Sequence, residues 1–299
     1  MDYLKENYRK KKRYNLIQFI LLALLPIVGV TIVFVSAFMY VKKNVNFTQK
    51  QLIGLNFIEQ IEESIFDLQR LRGLSAIKEC KCKKDEEHIS TQIRNLQSKI
   101  ITQFDTLSVA LSKNNGEDIR ELQAFLDGFE KDIVNADFEV ISDVIDELMY
   151  FSSDLSYQFN LKLESNLKSY IMVENAVDLL PRLIEYNGQI RGKASGVANN
   201  ILTKEQKEHI KVQLEKIDAF LKKVKFNNKM ISSNEMYPDI HNSYNKMIIA
   251  QNEIISTVNK EFLDVDTIYS SGKKIYDVIT ENMEYIIDLQ RVNFNVLQD

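Results

Sequence analysis

No charged side chain occurs from Tyr14 to Val41, and this stretch constrains the fold of the chain more than any other feature. As an α-helix at 1.5 Å per residue, residues 14–41 would be about 42 Å long. That length is enough to cross the roughly 30 Å hydrocarbon core of a bilayer with some tilt. Tyr14 and Tyr40 stand at positions typical of the membrane interface. The sequence therefore predicts a transmembrane anchor over residues 14–41.

The basic residues beside this stretch predict its orientation. Five consecutive cations, Arg9 to Arg13, precede it, whereas Lys42 and Lys43 follow it. The more basic flank of a membrane helix stays in the cytoplasm. We therefore expect residues 1–13 to form a cytoplasmic basic tail. Residues 44–299 would then lie in the periplasm or otherwise outside the cytoplasm, in a single-pass protein of the inner (cytoplasmic) membrane.

A cleaved signal peptide is the alternative interpretation of the same residues. Val35-Ser36-Ala37 loosely resembles the small-residue site at which signal peptides are cut. The apolar core of a signal peptide is about 7–15 residues long, however, and the uncharged stretch is much longer. Length therefore favours a retained anchor.

Few residues that break helices interrupt the remaining chain. The sequence has three prolines and nine glycines among 299 residues, and 45% of its residues are hydrophobic. Apolar residues recur at steps of three and four, which is typical of amphipathic helices, and no stretch has the alternation of a strand. We predict an all-α fold, in which the N-terminal transmembrane helix is followed by up-down antiparallel helices in two stacked four-helix bundles.

Periodicity and turn residues together divide the chain after the anchor into eight helical segments. The first continues from the membrane helix and covers residues 44–77. The others are predicted at about Glu87 to Ser112, Glu117 to Val134, Phe138 to Leu180, Arg182 to Leu202, Thr203 to Met230, Pro238 to Lys260, and a last helix through Ile275 and Leu289. Pro181 is expected to kink or restart the helix. Thr203-Lys204-Glu205-Gln206 has the spacing of an N-terminal capping box.

The charge of the chain is unevenly distributed. Residues 1–43 carry eight basic and two acidic side chains, a local charge of +6, and the whole chain has a net charge of −4. Residues 44–299 therefore carry a net charge of −10. Because an acidic body is repelled by phosphate, a nucleic-acid partner is excluded and the membrane is the expected partner of the basic tail.

One arginine lies on the predicted apolar stripe of the first helix. The stripe is formed by residues three and four apart, namely Ile58, Ile61, Ile65, Leu68, Arg72 and Ser75. A cation on the buried face of a helix is costly unless it is paired. Arg72 is therefore a candidate ligand-binding residue, with Gly73 beside it as a position of close approach.

A second Arg-Gly pair, Arg191-Gly192, occurs 119 residues later and is also followed by small side chains. Around it, Gly188, Gly192 and Gly196 recur every four residues and form a ridge without side chains. A guanidinium beside such a gap presents a fork of donors that fits nitrate or a carboxylate. The alternative is that both arginines pair with buried carboxylates and have a purely structural role.

Other residue types give no stronger signal. Cys80 and Cys82 are expected in a solvated loop at a hairpin tip, with an intermolecular disulfide or a metal site with His88 as the alternatives. His209 and His241 are isolated and expected at the surface. The sequence has no phosphate loop, nucleophile motif or paired carboxylates, so we predict no catalytic residue, metal or cofactor and a protein that is not an enzyme.

Three segments resemble the nitrate- and nitrite-sensing (NIT-like) extracellular domains of bacterial chemoreceptors, sensor histidine kinases and diguanylate cyclases. The resemblance covers roughly residues 51–290. The segments are Gln51-Leu52-Ile53-Gly54-Leu55-Asn56-Phe57 leading to Leu68-Gln69-Arg70-Leu71-Arg72-Gly73-Leu74-Ser75, then Leu180-Pro181-Arg182-Leu183-Ile184 with Gly188, Arg191 and Gly192, and finally Phe262, Tyr269, Gly272 and Ile275.

The resemblance implies a helical sensor domain over residues 44–299 that forms a homodimer and holds a small anion, such as nitrate or nitrite, between helices. Arg72, Arg191, Gly73 and Gly192 are the positions that match. Members of the family usually continue into a second membrane helix and a signalling domain. Because no such segments follow here, we expect signal transduction through a cytoplasmic partner or the sensory part of a longer chain. The alternative function is a non-enzymatic helical scaffold or interaction protein of the cell envelope.

Overall fold

The computed structural model of the chain describes residues 2–79, 86–113, 117–129, 133, 137–163, 166–196, 203–231, 237–265, 270 and 272–298. These residues form helices and short connections without a β-strand, which confirms the all-α prediction. The α-helices are α1 (Asp2–Glu79), α2 (Glu86–Leu111), α3 (Glu117–Phe129), α4 (Phe138–Gln158), α5 (Leu167–Val173), α6 (Leu180–Gly196), α7 (Lys204–Ile231), α8 (Pro238–Val258) and α9 (Gly272–Gln298). Leu161–Leu163 is a 3-10 turn, and Glu174–Leu179 and Asn259–Leu263 are π-helical.

The chain divides into two units, Met1–Lys50 and Gln51–Asp299. In the first unit, α1 is long and apolar enough to cross a membrane, with an 18-residue window of mean hydropathy 2.3 whose side chains are 0% buried. All side chains from residue 24 to residue 50 are exposed. An apolar surface of this extent is unusual in water and is suited to a bilayer.

Two hydrophobic cores lie within the second unit. Side chains of the first core come chiefly from α1, α2, α3 and α4, and include Ile58, Ile65 and Ile100, which are all 0% exposed. The second core comes chiefly from α5 to α9 and includes Ile217 and Ile254, also 0% exposed. Each fully buried aliphatic side chain contributes about 1.5–3 kcal/mol, so the apolar stripes seen in the sequence provide the main stabilisation.

The predicted start of α7 is confirmed. The Gln206 N–H donates to Thr203 Oγ1 at 3.1 Å, and the Thr203 N–H donates to Gln206 Oε1 at 2.9 Å. These two bonds satisfy backbone donors that the helix end leaves unpaired. Pro238 occupies the first turn of α8, as predicted.

The predicted helix from Phe138 to Leu180 is wrong, because α4 ends at Gln158. Asn160 has a φ of 61°, a left-handed conformation that asparagine tolerates better than most residues. The Asn160 carbonyl accepts a hydrogen bond from Gln51 Nε2 at 3.1 Å, and Asn166 then caps α5 through a bond from the Lys168 N–H at 2.9 Å. Two asparagines therefore mark the break that we placed at the proline.

At Pro181 the helix continues, since α5, the π-helical segment and α6 follow one another from Leu167 to Gly196. The Leu180 N–H bonds to the Asn175 carbonyl, five residues earlier. At the same spacing residue 181 would bond to the Ala176 carbonyl, but proline has no N–H. Gln290 of α9 donates to the Ala176 carbonyl instead, at 2.8 Å. A side chain from another helix thus replaces the missing backbone donor.

Two other predicted ends lie outside the described residues. The third helix was predicted to reach Val134, and α3 is described as far as Phe129. The fifth segment was predicted to reach Leu202, and α6 is described as far as Gly196.

Replacing Asp137 with alanine is expected to lower the free energy of unfolding by about 1 kcal/mol. Asp137 is the N-cap of α4, and its carboxylate accepts a hydrogen bond from the Val140 N–H at 2.9 Å. Chemical denaturation would measure the loss. Asp143→Ala, at an exposed position in the same helix, is the control and should be nearly neutral. Equal effects of the two substitutions would contradict a capping role.

Candidate functional site

Arg72 of α1 is fully buried and is bound by a carboxylate of the chain. Its side chain is 0% exposed, and Glu185 of α6 is 1% exposed. Arg72 Nη1 donates to Glu185 Oε1 at 2.8 Å, and Nη2 donates to Oε2 at 2.9 Å. This is the bidentate arrangement in which an arginine–carboxylate pair is strongest. The pair joins α1 to α6 in the interior of the second unit.

Several neutral groups complete the surroundings of this pair. Gln69 Nε2 donates to Glu185 Oε2 at 3.0 Å, and Gln189 Nε2 donates to Glu185 Oε1 at 2.8 Å. Arg72 Nη1 also donates to Ser142 Oγ at 2.9 Å. The guanidinium carbon lies 5.2 Å from the centroid of the Phe138 ring, within the range of a cation–π contact. Each Glu185 oxygen therefore accepts two hydrogen bonds, which offset much of the cost of burying its charge.

Arg191 of α6 lies beside the first pair and is 2% exposed. Its Nη1 donates to Thr280 Oγ1 at 2.9 Å, and its Nη2 donates to the Gln69 carbonyl at 2.8 Å. Its guanidinium carbon is 4.9 Å from the centroid of the Tyr276 ring. Within the described part of the chain, no carboxylate forms an ion pair with it at the 4.0 Å limit. Gln69 therefore connects both arginines. Its carbonyl accepts a hydrogen bond from Arg191, and its side chain binds Glu185, the carboxylate that is paired with Arg72.

The buried cluster has an excess of positive charge. Two guanidiniums, Arg72 and Arg191, share one carboxylate, Glu185. Burial lowers the pKa of Arg191, and the nearby positive charge of Arg72 lowers it further. The Nε atoms of both arginines are buried and have no hydrogen-bond partner among the residues that the structure describes. An arrangement of this kind can bind a small anion or cross-link helices.

Glycines allow the close packing around the cluster, as predicted. A Cβ atom at Gly73 would lie 2.6 Å from the Tyr276 ring, and one at Gly192 would lie 2.6 Å from the Phe138 ring. At Gly188 it would lie 3.1 Å from Arg72 Nη2. Contacts below 3.0 Å are essentially never made by real Cβ atoms, so side chains at Gly73 and Gly192 would displace the two rings that face the arginines.

The sequence correctly placed both arginines in the interior but did not predict what binds them. We expected space for an external anion beside Arg72, and the structure has the Glu185 carboxylate on that fork. Ligand binding by Arg72, Arg191, Gly73 and Gly192 therefore stays a prediction. Glu185 could have been identified by the argument used for Arg72, because it lies on a buried stripe with Gly188 and Gly192 at steps of three and four.

The other candidate residues are cysteines and histidines. Cys80 and Cys82 lie outside the described residues, and His88 is exposed. His241 is exposed as expected, whereas His209 is half-buried and its Nε2 lies 3.3 Å from Lys193 Nζ. Burial and then the charge of Lys193 lower the pKa of His209. Among the described residues, no group of three or more His, Cys, Asp or Glu side chains could hold a metal ion.

The third segment of the family resemblance lies mostly in the second core. Phe262 is 0% exposed and Ile275 is 3% exposed, while Gly272 begins α9 and Tyr269 lies outside the described residues. No protein-family model matches the chain, and neither a curated protein nor a solved structure matches it.

Proposed function

We propose that the chain is a membrane-anchored, extracytoplasmic sensor domain of a bacterial signal-transduction protein, which binds a small anion and relays binding by a helix shift. The observation that carries the proposal is the imbalance of the buried cluster, with two guanidiniums and one carboxylate. The exposed apolar part of α1 and the basic residues before it support a single span of the inner membrane with the N-terminus in the cytoplasm.

The ligand would be a planar oxyanion such as nitrate or nitrite. Glu185 binds Arg72 through two oxygens at 2.8 and 2.9 Å, and a nitrate presents two oxygens in a similar plane. In the part of the chain that the structure describes, Arg191 is bound by Thr280 and the Gln69 carbonyl and by no carboxylate, so an added anion would restore the balance of charge. The ligand would therefore contact Arg191 and compete with Glu185 for Arg72.

The relay would begin at Gln69. Its carbonyl accepts from Arg191 and its amide donates to Glu185, so a change at either residue alters a contact of α1. A shift of about 1–2 Å is a common size for such a switch. Because α1 also contains the apolar stretch, the shift would pass along one helix towards a cytoplasmic signalling partner.

Calorimetry and thermal unfolding of the full chain in lipid nanodiscs test the ligand. We expect nitrate or nitrite to release or absorb heat and to raise the melting temperature, with chloride as the control anion. Ligand at about one hundred times Kd would stabilise the protein by about 2.7 kcal/mol. The absence of both heat and a melting shift with nitrate, nitrite and formate would rule out the anion.

Variants of two arginines make the same test specific. Arg191→Gln should abolish the ligand-dependent shift, and Arg191→Lys should weaken it because lysine lacks the planar fork. Arg182→Gln is the matched control, since Arg182 is 39% exposed and pairs with Asp146 at 3.0 Å. A ligand effect that survives Arg191→Gln would place the anion elsewhere.

A helical scaffold of the cell envelope is the second candidate, and the closed Arg72–Glu185 pair favours it. A core arginine whose terminal nitrogens are bound by the chain can serve purely to fix two helices. In a scaffold, Arg72→Ala and Arg191→Ala would both lower stability, and no anion would change the melting temperature of the wild-type protein.

Two further parts of the proposal concern assembly. The two hydrophobic cores are compatible with two stacked four-helix bundles, and the family resemblance implies a homodimer. Sedimentation of the full chain in detergent is expected to give a dimer mass after subtraction of the bound detergent. A monomer at all concentrations would contradict it.

A further inference from the structure

Glu62 of α1 is a buried carboxyl group that forms no ion pair with any described lysine, arginine or histidine. It lies 21 residues after Val41, beyond the apolar stretch, and is 2% exposed. Its neighbours along the helix, Ile61 and Ile65, are 0% exposed and belong to the first core. A charge in such surroundings is strongly disfavoured unless it is paired and hydrogen-bonded.

The groups that face Glu62 are Ser152 of α4, which is 0% exposed, and Gln290 of α9, which is 1% exposed. Among the described residues, four oxygens of these three side chains are buried without a hydrogen-bond partner: both Oε atoms of Glu62, Ser152 Oγ and Gln290 Oε1. The donors in this group are the Ser152 O–H and the Gln290 amide N–H groups. A carboxylate at Glu62 adds no donor, whereas a carboxylic acid adds one O–H.

Charged groups near Glu62 act in opposite directions and have partners of their own. Arg182 of α6 favours the ionised form and pairs with Asp146 at 3.0 Å. Asp178 of the π-helical segment disfavours it and pairs with Lys162 at 2.9 Å. On α4 and α9 the facing groups are the neutral Ser152 and Gln290. Burial is the largest effect and raises the pKa of Glu62 from 4.5 to about 8, although the facing Gln290 and Ser152 side chains favour the ionised form and lower it.

Gln290 also ties this cluster to the irregular part of the fold. Its Nε2 donates to the Ala176 carbonyl, the backbone acceptor that Pro181 leaves without its N–H partner. The amide nitrogen carries two N–H groups, so a carboxylate at Glu62 would bind the same amide group that supports the Ala176 carbonyl. Ionisation of one side chain on α1 would thus affect the support of the π-helical turn.

We infer that Glu62, Ser152 and Gln290 form a buried proton-binding site, occupied at neutral pH, whose deprotonation loosens the packing of α1 against α4 and α9. This site is separate from the arginine cluster and does not depend on an anion ligand. The stimulus would be alkaline pH.

A carboxyl titration of the full chain in nanodiscs tests the site directly. With 13C-labelled glutamate, the Glu62 carboxyl signal should titrate near pH 8. Glu62→Gln should remove this signal, whereas Glu63→Gln, at the exposed next residue, should leave it in place. If Glu62→Gln fails to fold, the wild-type spectrum still decides, because one glutamate must titrate near pH 8.

Thermal and chemical unfolding give an independent result. Because the pKa is raised in the folded protein, the unfolded state releases its proton first as the pH rises from 4.5 to 8. We therefore compare the unfolding equilibrium constant of the wild type with that of Glu62→Gln at each pH. The ratio of the two constants should increase up to tenfold per pH unit in this range and level off above it. Glu63→Gln should follow the wild type. Parallel curves for the wild type and Glu62→Gln, or a spectrum in which no glutamate carboxyl titrates near pH 8, would overturn the proton site.

Discussion

Replacing Glu185 with glutamine is expected to lower the free energy of unfolding by about 3–5 kcal/mol. The substitution keeps the shape of the side chain but removes the carboxylate that binds Arg72 through two oxygens, and Arg72 is 0% exposed. The guanidinium would then be a buried charge without a counterion. Urea denaturation at constant pH and salt would measure the loss. Arg72→Met should cause a loss of similar size, because it leaves the Glu185 carboxylate buried without its cation.

An exposed ion pair provides the control for this prediction. The Asp146 side chain is 57% exposed and that of its partner Arg182 is 39% exposed. Asp146→Asn breaks this pair and should lower the free energy of unfolding by less than about 1 kcal/mol. In a double-mutant cycle, Arg72→Met with Glu185→Leu should recover much of the stability lost by either change alone. A cost of Glu185→Gln no greater than that of Asp146→Asn would show that the buried pair does not hold α1 to α6.

Replacing Gly54 with alanine should be the most damaging glycine substitution of the bundle. A Cβ atom there would lie 2.3 Å from Phe159 Cβ and 2.6 Å from its Cγ. Because Phe159 Cβ is attached directly to the backbone that ends α4, rotation of the ring does not relieve the clash. The helices would have to move apart, and overpacking of this kind costs about 1–3 kcal/mol or more.

Gly128→Ala of α3 is the matched control. No described atom lies within 4 Å of a Cβ atom at that position, so the variant should gain about 1 kcal/mol from the better helix propensity of alanine. Thermal unfolding of both variants should therefore shift in opposite directions. Stabilisation by Gly54→Ala would mean that α1 and α4 do not approach each other as closely as the structure has them.

The two arginines show what a local sequence pattern predicts about a buried charge and what it does not. Steps of three and four placed Arg72 on an inward face, and its burial confirms that prediction. Its carboxylate partner lies 113 residues away on another helix. An inward cation requires compensation, but periodicity does not distinguish an external anion from a carboxylate of the same chain.

Pro181 illustrates a local rule that distant contacts overcame. A proline within a helical pattern is expected to break it, and here Gln290 of α9 supplies the hydrogen bond that proline lacks. The break occurs instead at Asn160, where a left-handed residue and an asparagine cap are stabilised by local bonds. We gave more weight to the proline than to the asparagines because only the local cost was visible.

The sequence alone predicted the helix content, the apolar stretch of α1, the capping box at Thr203 and the inward faces of the helices. Each of these depends on residues within a few turns of one another. Only the tertiary structure decided three other features. These are the pairing of Arg72 with Glu185, the continuity of the helix through Pro181 and the close approach of α1 and α4 at Gly54. Each of these rests on atoms from separate helices, and the energy of a buried charge or an unpaired carbonyl depends on which distant group comes within about 3 Å of it.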